Sequence, residues 1–217
     1  MRQAVLFDVD GTLIDSNYLH VGAWMRAFRQ VGHPVDGAAI HRAIGMGSSQ
    51  LLERLLGEEL AAKVGEEVRE AHTRLYRQDF PMLRPFAGAR EVLFAVARRA
   101  QVVLATSASP QEVEALCAAL DADDAIAAVT GGGDVEAAKP EPDLVASALE
   151  RAGVGASQAI FVGDTVWDVE AASRAGVPCL TVLTGGIGAA ELTAAGAAAV
   201  YDSVADLRDR LDEVLGG

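Results

Sequence analysis

Short, nearly continuous apolar runs recur along the chain, separated by longer stretches in which apolar and polar residues are mixed. Strands have this pattern when they are buried on both faces, because helices then cover both sides of the sheet. A parallel sheet is therefore predicted. The predicted strands cover residues 4–7, 102–105, 127–129, 159–162, 179–182 and 198–201.

Helical periodicity fills most of the stretches between these strands. The clearest apolar stripe repeats at i, i+3, i+4, i+7 and i+8. An amphipathic acidic helix at 204–215 is expected to close the sheet. Alternating strands and helices are typical of right-handed βαβ units, so the pattern predicts an α/β fold with a Rossmann-like parallel sheet core. The stripe consists of Ala89, Val92, Leu93, Val96 and Ala97.

The stretch from 16 to 84 interrupts the alternation. It contains helical patterns only, together with all four histidines of the chain. Ser16 and its neighbours can cap a helix at one border, and the segment 83–88, with its proline and glycine, can end one at the other. We therefore expect an α/β core of residues 1–15 and 85–217 and an inserted helical cap of residues 16–84.

Composition and charge narrow the choice of partners. The chain has 217 residues, 51% of them hydrophobic and 23% charged, which is typical of a globular protein that buries a sizeable core. Its net charge is −13, from 31 Asp and Glu against 18 Lys and Arg. Such an acidic surface repels nucleic acid and anionic lipid, so neither nucleic acid nor a membrane is expected as a partner.

Cysteine usage and apolar run lengths indicate the compartment. Cys117 and Cys179 are too few for a disulfide framework, and no Cys/His cluster has zinc-ligand spacing. The apolar stretch near the start is too short for a signal peptide, and no run reaches the roughly 18 apolar residues of a membrane span. The expected location is cytoplasmic. Nothing in the sequence indicates the oligomeric state.

Acidic residues follow two of the predicted strands. Asp8 and Asp10 come directly after the first strand, Asp164 follows the strand at 159–162, and Asp168 lies on the next helical turn. Open α/β sheets bind ligands at the carboxyl ends of their strands. If the two strands are neighbours, these carboxylates share one crevice and need protons or a hard divalent cation to neutralise them. Oxygen ligands without sulfur favour Mg²⁺.

Each motif also has a purely local interpretation. The Asp-x-Asp-Gly-Thr run at 8–12 can be a turn with an Asx cap, Asp164 can cap a helix, and a single lysine is usually solvated. The combination favours a site instead. A hydroxyl pair, Thr106 and Ser107, ends the second strand, and Lys139 precedes a proline before a later helix. Four chance coincidences at four strand ends are improbable.

In these motifs the chain resembles the haloacid dehalogenase-like hydrolases, and the resemblance covers the whole chain. It is most similar to the phosphoglycolate phosphatase and β-phosphoglucomutase branch, whose members carry a four-helix cap between the first strand and the second motif. The resemblance implies a Mg²⁺-dependent phosphatase that cleaves a small phosphate monoester, a phosphorylated metabolite, through an aspartyl-phosphate intermediate. The motifs that carry it are 8–13, Ser107, 139–140 and 163–168.

The resemblance implies a role for each carboxylate. Asp8 would be the nucleophile, since an ionised carboxylate can attack phosphorus once a metal screens the repulsion between anions. Asp10 would protonate the leaving alcohol and then deprotonate the attacking water, with its backbone carbonyl on the metal. The implied metal ligands are Asp8, Asp10, Asp164 and Asp168, the last either directly or through a water.

The remaining motifs would bind the phosphoryl group. Ser107 and the amide of Ala108 would hold its oxygens, and Lys139 would neutralise charge on Asp8 and on the transferring group. Thr106 is the alternative phosphate hydroxyl. Ser107 is preferred because the Ser-Ala-Ser-Pro that it begins is similar to the Ser-x-Ser-Pro or Thr-Asn-Lys-Pro of relatives.

Within the insertion, His20 and Trp24 lie four residues apart and so share a helix face, where relatives often have His-x-x-Ala-Trp. Contact with substrate or hinge and simple cap packing both remain open for this pair. The segment 42–48 is expected to form a cap turn facing the site, with Arg42 a candidate to bind an anionic substrate tail. The other histidines, His33, His41 and His72, are interpreted as surface or packing residues.

The motifs of this chain fit other functions less well. A β-phosphoglucomutase-type phosphomutase generally needs a basic cap residue for a second phosphate, where this chain has Met-Gly-Ser-Ser at 46–49. A catalytically silent protein that binds a phosphorylated metabolite is the alternative outside the enzymes, although every motif acid is present. A dehalogenase would leave Asp10 without a proton to donate, and a phosphonate hydrolase would need a Schiff-base lysine in the cap, where Lys63 is the only lysine.

Overall fold

A single parallel sheet of six strands forms the centre of the protein. The structure, a computed structural model, describes residues 3–132 and 138–216. The strand order is β3-β2-β1-β4-β5-β6, which confirms the predicted α/β, Rossmann-like class. Each strand lies within one residue of its predicted bounds. The strands are β1 (Ala4–Phe7), β2 (Gln101–Ala105), β3 (Ala128–Thr130), β4 (Ala159–Gly163), β5 (Cys179–Val182) and β6 (Ala199–Tyr201).

Both faces of this sheet are covered. In β1, Val5 and Phe7 belong to one apolar cluster and Leu6 belongs to the cluster on the opposite face. Because successive side chains of a strand point to opposite faces, β1 must be apolar at every position, which explains its continuous run. The strand is central in the sheet, with β2 on one side and β4 on the other.

Four helices and a short 3₁₀ segment make up the insertion between β1 and the rest of the core. Helices α1 and α3 both pack on α4. Their contact buries Trp24 and Phe28 from α1, Leu51 from α3 and Val68 from α4. The elements are α1 (Asn17–Gln30), α2 (Gly37–His41), α3 (Ser48–Leu56), α4 (Glu58–Tyr76) and the 3₁₀ segment Arg77–Met82.

Two adjacent chain segments connect the insertion with the core. The Asp15 N–H donates to the Arg84 carbonyl at 2.9 Å, and the Phe86 N–H donates to the Leu13 carbonyl at 2.9 Å. The chain therefore leaves and re-enters the core at one place. The domain boundaries at 15/16 and 84/85 coincide with these bonds and stay a prediction.

The remaining helices pack on the two faces of the sheet. Apolar residues of α5, α6, α10 and α11 belong to the cluster that also contains the insertion, and those of α7 and α8 belong to the opposite one. Among the described residues, no helix combines the length and the apolar character needed to cross a bilayer. These helices are α5 (Ala89–Ala97), α6 (Pro110–Leu120), α7 (Asp143–Ala152), α8 (Val166–Arg174), α9 (Ala189–Ala195), α10 (Val204–Asp209) and α11 (Leu211–Leu215).

The prediction of one helix at 204–215 was wrong, because two helices occupy this segment. Arg210 separates them with φ −111° and ψ 21°, which lies outside the helical region. From this position its guanidinium lies 5.9 Å from the ring centroid of Tyr201, and its Nε lies 3.2 Å from Asp206 Oδ1. The apolar periodicity runs through the break without a glycine or proline, so the pattern alone does not reveal it.

Candidate active site

Three buried carboxylates meet at the carboxyl edge of the sheet. Phe7 in β1 pairs with Val162 in β4, so the residues that follow these strands are neighbours. The Asp8 N–H donates to the Val162 carbonyl at 2.8 Å. One oxygen each from Asp8, Asp164 and Asp168 lies within 4.8 Å of the others, and all three residues are buried. We call these three residues the acid cluster.

Hydroxyl and amide donors fix the orientation of the acid cluster. Thr12 Oγ1 donates to Asp164 Oδ1 at 2.8 Å, and Asn17 Nδ2 donates to Asp164 Oδ2 at 2.9 Å. Thr165 is the N-cap of α8, and its N–H and hydroxyl donate to Asp168 Oδ2 at 3.0 and 2.6 Å. The N-cap residue Thr165 therefore holds Asp168 in the first turn of α8, where the helix dipole favours an anion.

A glycine brings the loop after β1 close to the cluster. Gly11 has φ +76°, a conformation that L side chains rarely adopt. A Cβ at this position would lie 2.2 Å from Asn17 Nδ2 and 2.4 Å from Asp164 Oδ2. Only glycine allows this turn while Asn17 still reaches Asp164.

The cluster has an excess of negative charge. Lys139 is buried, and its Nζ lies 2.5 Å from Asp8 Oδ1 and 2.7 Å from Asp168 Oδ1. Burial alone would lower the pKa of Lys139, but Asp168 and Asp8 raise it, so it stays charged. One ammonium group cannot balance three carboxylates.

The carboxyl pKa values reflect this excess. Burial raises the pKa of Asp8 to about 7, with Lys139 opposing the shift and Asp168 and Asp10 adding to it. Burial also raises the pKa of Asp164 well above its ordinary value, with the charges of Asp168 and Asp8 adding to the effect. A divalent cation supplies the missing positive charge, and an all-oxygen donor set fits a hard ion, so these residues can hold a metal.

Asp10 lies outside the acid cluster and has its own partners. Its Oδ1 accepts a hydrogen bond from Ser16 Oγ at 2.6 Å and lies 3.4 Å from His20 Nε2. Burial would raise the pKa of Asp10, but hydrogen bonding and charge from His20, together with Ser16, lower it. Burial would lower the pKa of His20, but Asp10 raises it. Both pKa shifts favour the charged forms, a carboxylate on Asp10 and an imidazolium on His20.

His72 extends this contact into the insertion. His72 Nε2 lies 3.3 Å from His20 Nδ1, and its ring stacks on Trp24 with centroids 3.9 Å apart. Burial, followed by the charges of His20 and Arg26, lowers the pKa of His72 well below its ordinary value. A neutral His72 can accept a hydrogen bond at Nε2 from the Nδ1–H of the His20 imidazolium. The interpretation of His72 as a packing residue thus describes only part of its surroundings.

A cleft of about 470 Å³ lies between the insertion and the core, above Asp8 and Asp10. Ser107 Oγ is buried there and has no hydrogen-bond partner among the described residues, whereas Thr106 Oγ1 accepts a bond from the Ala108 N–H at 3.1 Å. Thr106 also lies 3.5 Å from Asp10 Oδ2. The remaining predicted site residues in the cleft wall are His20, Ala108 and Lys139, together with Trp24, Met46 and Ser48 of the insertion.

Outside the acid cluster, Arg42 is the predicted site residue that the structure does not bring to this cleft. It forms an ion pair with Glu191 at the surface, and its carbonyl accepts from Trp167 Nε1 at 3.2 Å. Another cation, Arg69 of α4, lines the cleft instead. Sequence reasoning missed Arg69 because it lies in the strongly charged run 66–70, where the pattern is that of a solvated helix face.

Comparison with known proteins decides the family. A family model described as haloacid dehalogenase-like hydrolase matches residues 3–176. The chain belongs to this family. The assignment confirms the resemblance drawn from the motifs and the prediction of a phosphoric monoester hydrolase, and it argues against a catalytically silent binding protein.

Individual members of the haloacid dehalogenase-like hydrolases are similar over nearly the whole chain. The phosphoglycolate phosphatase of Rhodospirillum rubrum is 32% identical over 97% of this chain and 91% of its own length. The validoxylamine A 7'-phosphate phosphatase of Streptomyces hygroscopicus subsp. limoneus is 29% identical over 85% and 87%. A hydrolase of known crystal structure from Pseudomonas syringae superposes with a TM-score of 0.93 at 32% identity, covering 98% and 99% of the two chains.

Replacing Gly11 tests how the loop after β1 is held. We expect Gly11→Ala to lower the free energy of unfolding by about 2–4 kcal/mol, because the backbone is strained and the added methyl group displaces Asn17 and Asp164. Gly22→Ala in α1 is the matched control, since a Cβ there meets nothing within 4 Å. It should raise stability by about 0.5–1 kcal/mol. Urea unfolding measures both, and equal effects would contradict this account.

Proposed function

We propose that this hydrolase is a Mg²⁺-dependent phosphatase that cleaves a small phosphate monoester through an aspartyl phosphate on Asp8. The observation that carries the proposal is the position of Asp8, which belongs to the acid cluster, pairs with Lys139 and lines the cleft. Relatives of about 30% identity are phosphatases whose names give chemically different phosphate esters. Their common feature is the phosphate monoester, so we assign the substrate class at that level.

The acid cluster would hold the Mg²⁺ ion. Asp164 and Asp168 present buried carboxylates in fixed orientations, and Asp8 completes the set of side chains. The side chain of Asp10 is engaged elsewhere, which agrees with a contact through its backbone carbonyl alone. When bound, Mg²⁺ supplies positive charge that reduces the repulsion between the phosphate and the carboxylates.

Asp8 attacks phosphorus and breaks its bond to the leaving alcohol. Lys139 Nζ, 2.5 Å from Asp8 Oδ1, favours the ionised form of this carboxylate and is near enough to neutralise charge on the transferring group. Within the described part of the chain Ser107 Oγ has no other partner, and it is the better placed hydroxyl to hold a phosphoryl oxygen, because the Thr106 hydroxyl donates to Asp10 Oδ2 at 3.5 Å. The Ala108 amide would have to exchange its bond to Thr106 Oγ1 for a phosphoryl oxygen.

Asp10 and His20 together transfer the proton that the leaving alkoxide needs. The leaving alkoxide needs a proton, and Asp10, within reach of the cleft, is the group that delivers it. His20 Nε2 lies 3.4 Å from Asp10 Oδ1. A proton on His20 can therefore pass to Asp10 as negative charge develops on the leaving oxygen. In the second half of the reaction Asp10 accepts a proton from the water that hydrolyses the aspartyl phosphate.

The insertion acts as a cap that excludes water from the cleft. The Gly47 N–H donates to the Lys139 carbonyl at 3.2 Å, and Gln50 Nε2 lies 3.4 Å from the Ala138 carbonyl. His41 Nε2 lies 2.8 Å from the Gly185 carbonyl. These contacts hold the insertion against the loops that carry the cluster. Excluding water strengthens the electrostatic interactions of Lys139 with the phosphoryl group.

Metal binding should depend on pH. The apparent affinity for Mg²⁺ should rise about tenfold or more between pH 6 and pH 8, because the ion displaces a proton from Asp8, whose metal-free pKa is about 7. Isothermal titration in two buffers of different ionisation enthalpy measures both the affinity and the released protons. Asp168→Asn should abolish binding, whereas Glu170→Gln, at the exposed side of the same helix, should not. Binding that is independent of pH would contradict the assignment.

Replacing the nucleophile should stop turnover. Asp8→Asn should lower kcat about 10⁴-fold or more, because no neighbouring group can replace the carboxylate in attack on phosphorus. Acid quench of the wild-type enzyme with ³²P-labelled substrate should trap a base-labile phosphoenzyme that the variant lacks. Asp124→Asn is the control, since Asp124 is exposed on the surface of the α/β domain. Retention of a tenth of the wild-type rate would remove Asp8 from this role.

Replacing Asp10 should give a loss that depends on the leaving group. Asp10→Asn leaves Asp8 able to attack, but an alkyl leaving group then departs without its proton. We expect kcat/KM to fall at least about tenfold more for alkyl phosphates than for p-nitrophenyl phosphate, whose leaving group needs little protonation. Parallel steady-state kinetics on the two ester types measure this difference. Equal losses would show that Asp10 is not the general acid.

A further inference from the structure

His72 is a buried histidine of the insertion that the proposed phosphatase mechanism does not use. It lies on α4 and is 6% exposed. Burial, followed by the charges of His20 and Arg26, lowers the pKa of His72 well below its ordinary value, so its ring is neutral. A neutral imidazole carries its proton on one ring nitrogen and accepts a hydrogen bond at the other. One nitrogen of His72 is therefore an acceptor, and His20 of α1 faces it.

The two imidazole rings are oriented for a hydrogen bond between their nitrogens. His20 Nδ1 lies 3.3 Å from His72 Nε2, and the two ring planes are inclined by only 15° with their centroids 5.4 Å apart. The N–H bonds and lone pairs of imidazole lie in the ring plane, so a small angle between the planes allows one to point at the other. The other nitrogen of His20, Nε2, lies 3.4 Å from Asp10 Oδ1. His20 therefore has one nitrogen for each neighbour.

Aromatic stacking fixes the planes of both imidazoles but not their edges. Trp24 stacks on His72 with centroids 3.9 Å apart, and Tyr76 stacks on His20 with centroids 3.8 Å apart. A rotation of the His20 χ2 angle by 180° keeps the ring in the same plane, yet it exchanges the positions of nitrogens and carbons. Only a directional contact distinguishes the two orientations. The hydrogen bond to His72 is such a contact.

The contact with Asp10 alone would not hold His20 throughout the reaction. The carboxylate of Asp10 attracts His20 while it is ionised, and this attraction falls when Asp10 is protonated. The contact with His72 does not depend on the protonation state of Asp10. A third group that orients an acid–base pair in this way is a recurrent feature of catalytic sites.

We propose that His72 is a positioning residue, which accepts a hydrogen bond from the Nδ1–H of His20 and so keeps the Nε2–H of His20 directed at Asp10. This inference rests on the proposed phosphatase function, since the orientation serves the proton transfer to the leaving alcohol. His72 acts through His20 and is not itself an acid or a base in the reaction. The packing of α4 against α1 thereby contributes to the proton transfer.

Two substitutions of His72 differ in whether they accept this bond. His72→Gln keeps a neutral acceptor in its side-chain carbonyl, whereas His72→Phe keeps an aromatic ring against Trp24 without an acceptor. We expect His72→Phe to lower kcat about 10- to 100-fold for 2-hydroxyethyl phosphate and no more than about threefold for p-nitrophenyl phosphate, with KM changed by no more than about twofold. His72→Gln should keep at least about a third of the wild-type kcat on the alkyl ester.

A double substitution separates positioning from a purely structural role. In an Asp10→Asn background His72→Phe should lower kcat for the alkyl ester by no more than about twofold, because the transfer that it supports is already lost. His33→Phe makes the same replacement at a partly exposed site after α1 and should leave both esters unaffected. Equal losses on both esters, equal effects of His72→Phe and His72→Gln, or an undiminished loss in the Asp10→Asn background would overturn the proposal.

A spectroscopic measurement on the wild-type protein keeps this test independent of turnover and of the folding of a variant. The chain has four histidines, so ¹⁵N labelling of histidine gives a spectrum that single substitutions can assign. We expect a His20 Nδ1 proton that exchanges slowly with water and a His72 Nε2 without a proton. If the wild-type protein cleaves neither ester, the proposed phosphatase function fails while the spectrum still decides the bond between the two histidines. A proton on His72 Nε2, or a rapidly exchanging His20 Nδ1 proton, would show that the bond does not form.

Discussion

The structure depends above all on burying three carboxylates beside one ammonium group. Asp8, Asp164 and Asp168 lie within 4.8 Å of one another, and Lys139 is the buried cation that contacts two of them. Isolated buried charges are strongly unfavourable, so each carboxylate requires donors or a counter-ion. Thr12, Asn17 and the N-cap residue Thr165 supply the donors, and a divalent cation would supply the missing charge. The loops at this edge of the sheet are arranged to make those contacts.

A second consequence is that, in the proposed mechanism, the reacting groups and the groups that face the leaving alcohol lie in different parts of the chain. The core contributes the floor of the cleft with the reacting groups, whereas the insertion contributes the opposite wall. Asp10 is the contact between the two, since its carboxylate belongs to the core and its partners Ser16 and His20 belong to the start of the insertion. The position of the insertion and the protonation of Asp10 are therefore physically linked.

Much of the fold could be predicted because burial on both faces of the sheet constrains every strand position. The strand bounds agree to within a residue for this reason. The break at Arg210 could not be predicted, since neither a glycine nor a proline marks it in the sequence. Likewise, the sequence predicts that Ser16 caps a helix with its side chain. In the structure its hydroxyl donates to Asp10 instead and makes no hydrogen bond to the backbone N–H groups that begin α1.

The sequence by itself determined the sheet, the acids at its strand ends and the family, because chemistry at strand ends requires particular residue types at fixed positions. Only the tertiary structure decided which charged side chains of the insertion reach the cleft. The sequence placed Arg42 in a turn facing the site and Arg69 on a charged helix face. The packing of α3 on α4 instead brings Arg69 to Ser48 and Ser49 in the cleft wall, whereas Arg42 pairs with Glu191. Such selection depends on how separate helices are oriented in space, and local residue patterns do not encode that orientation.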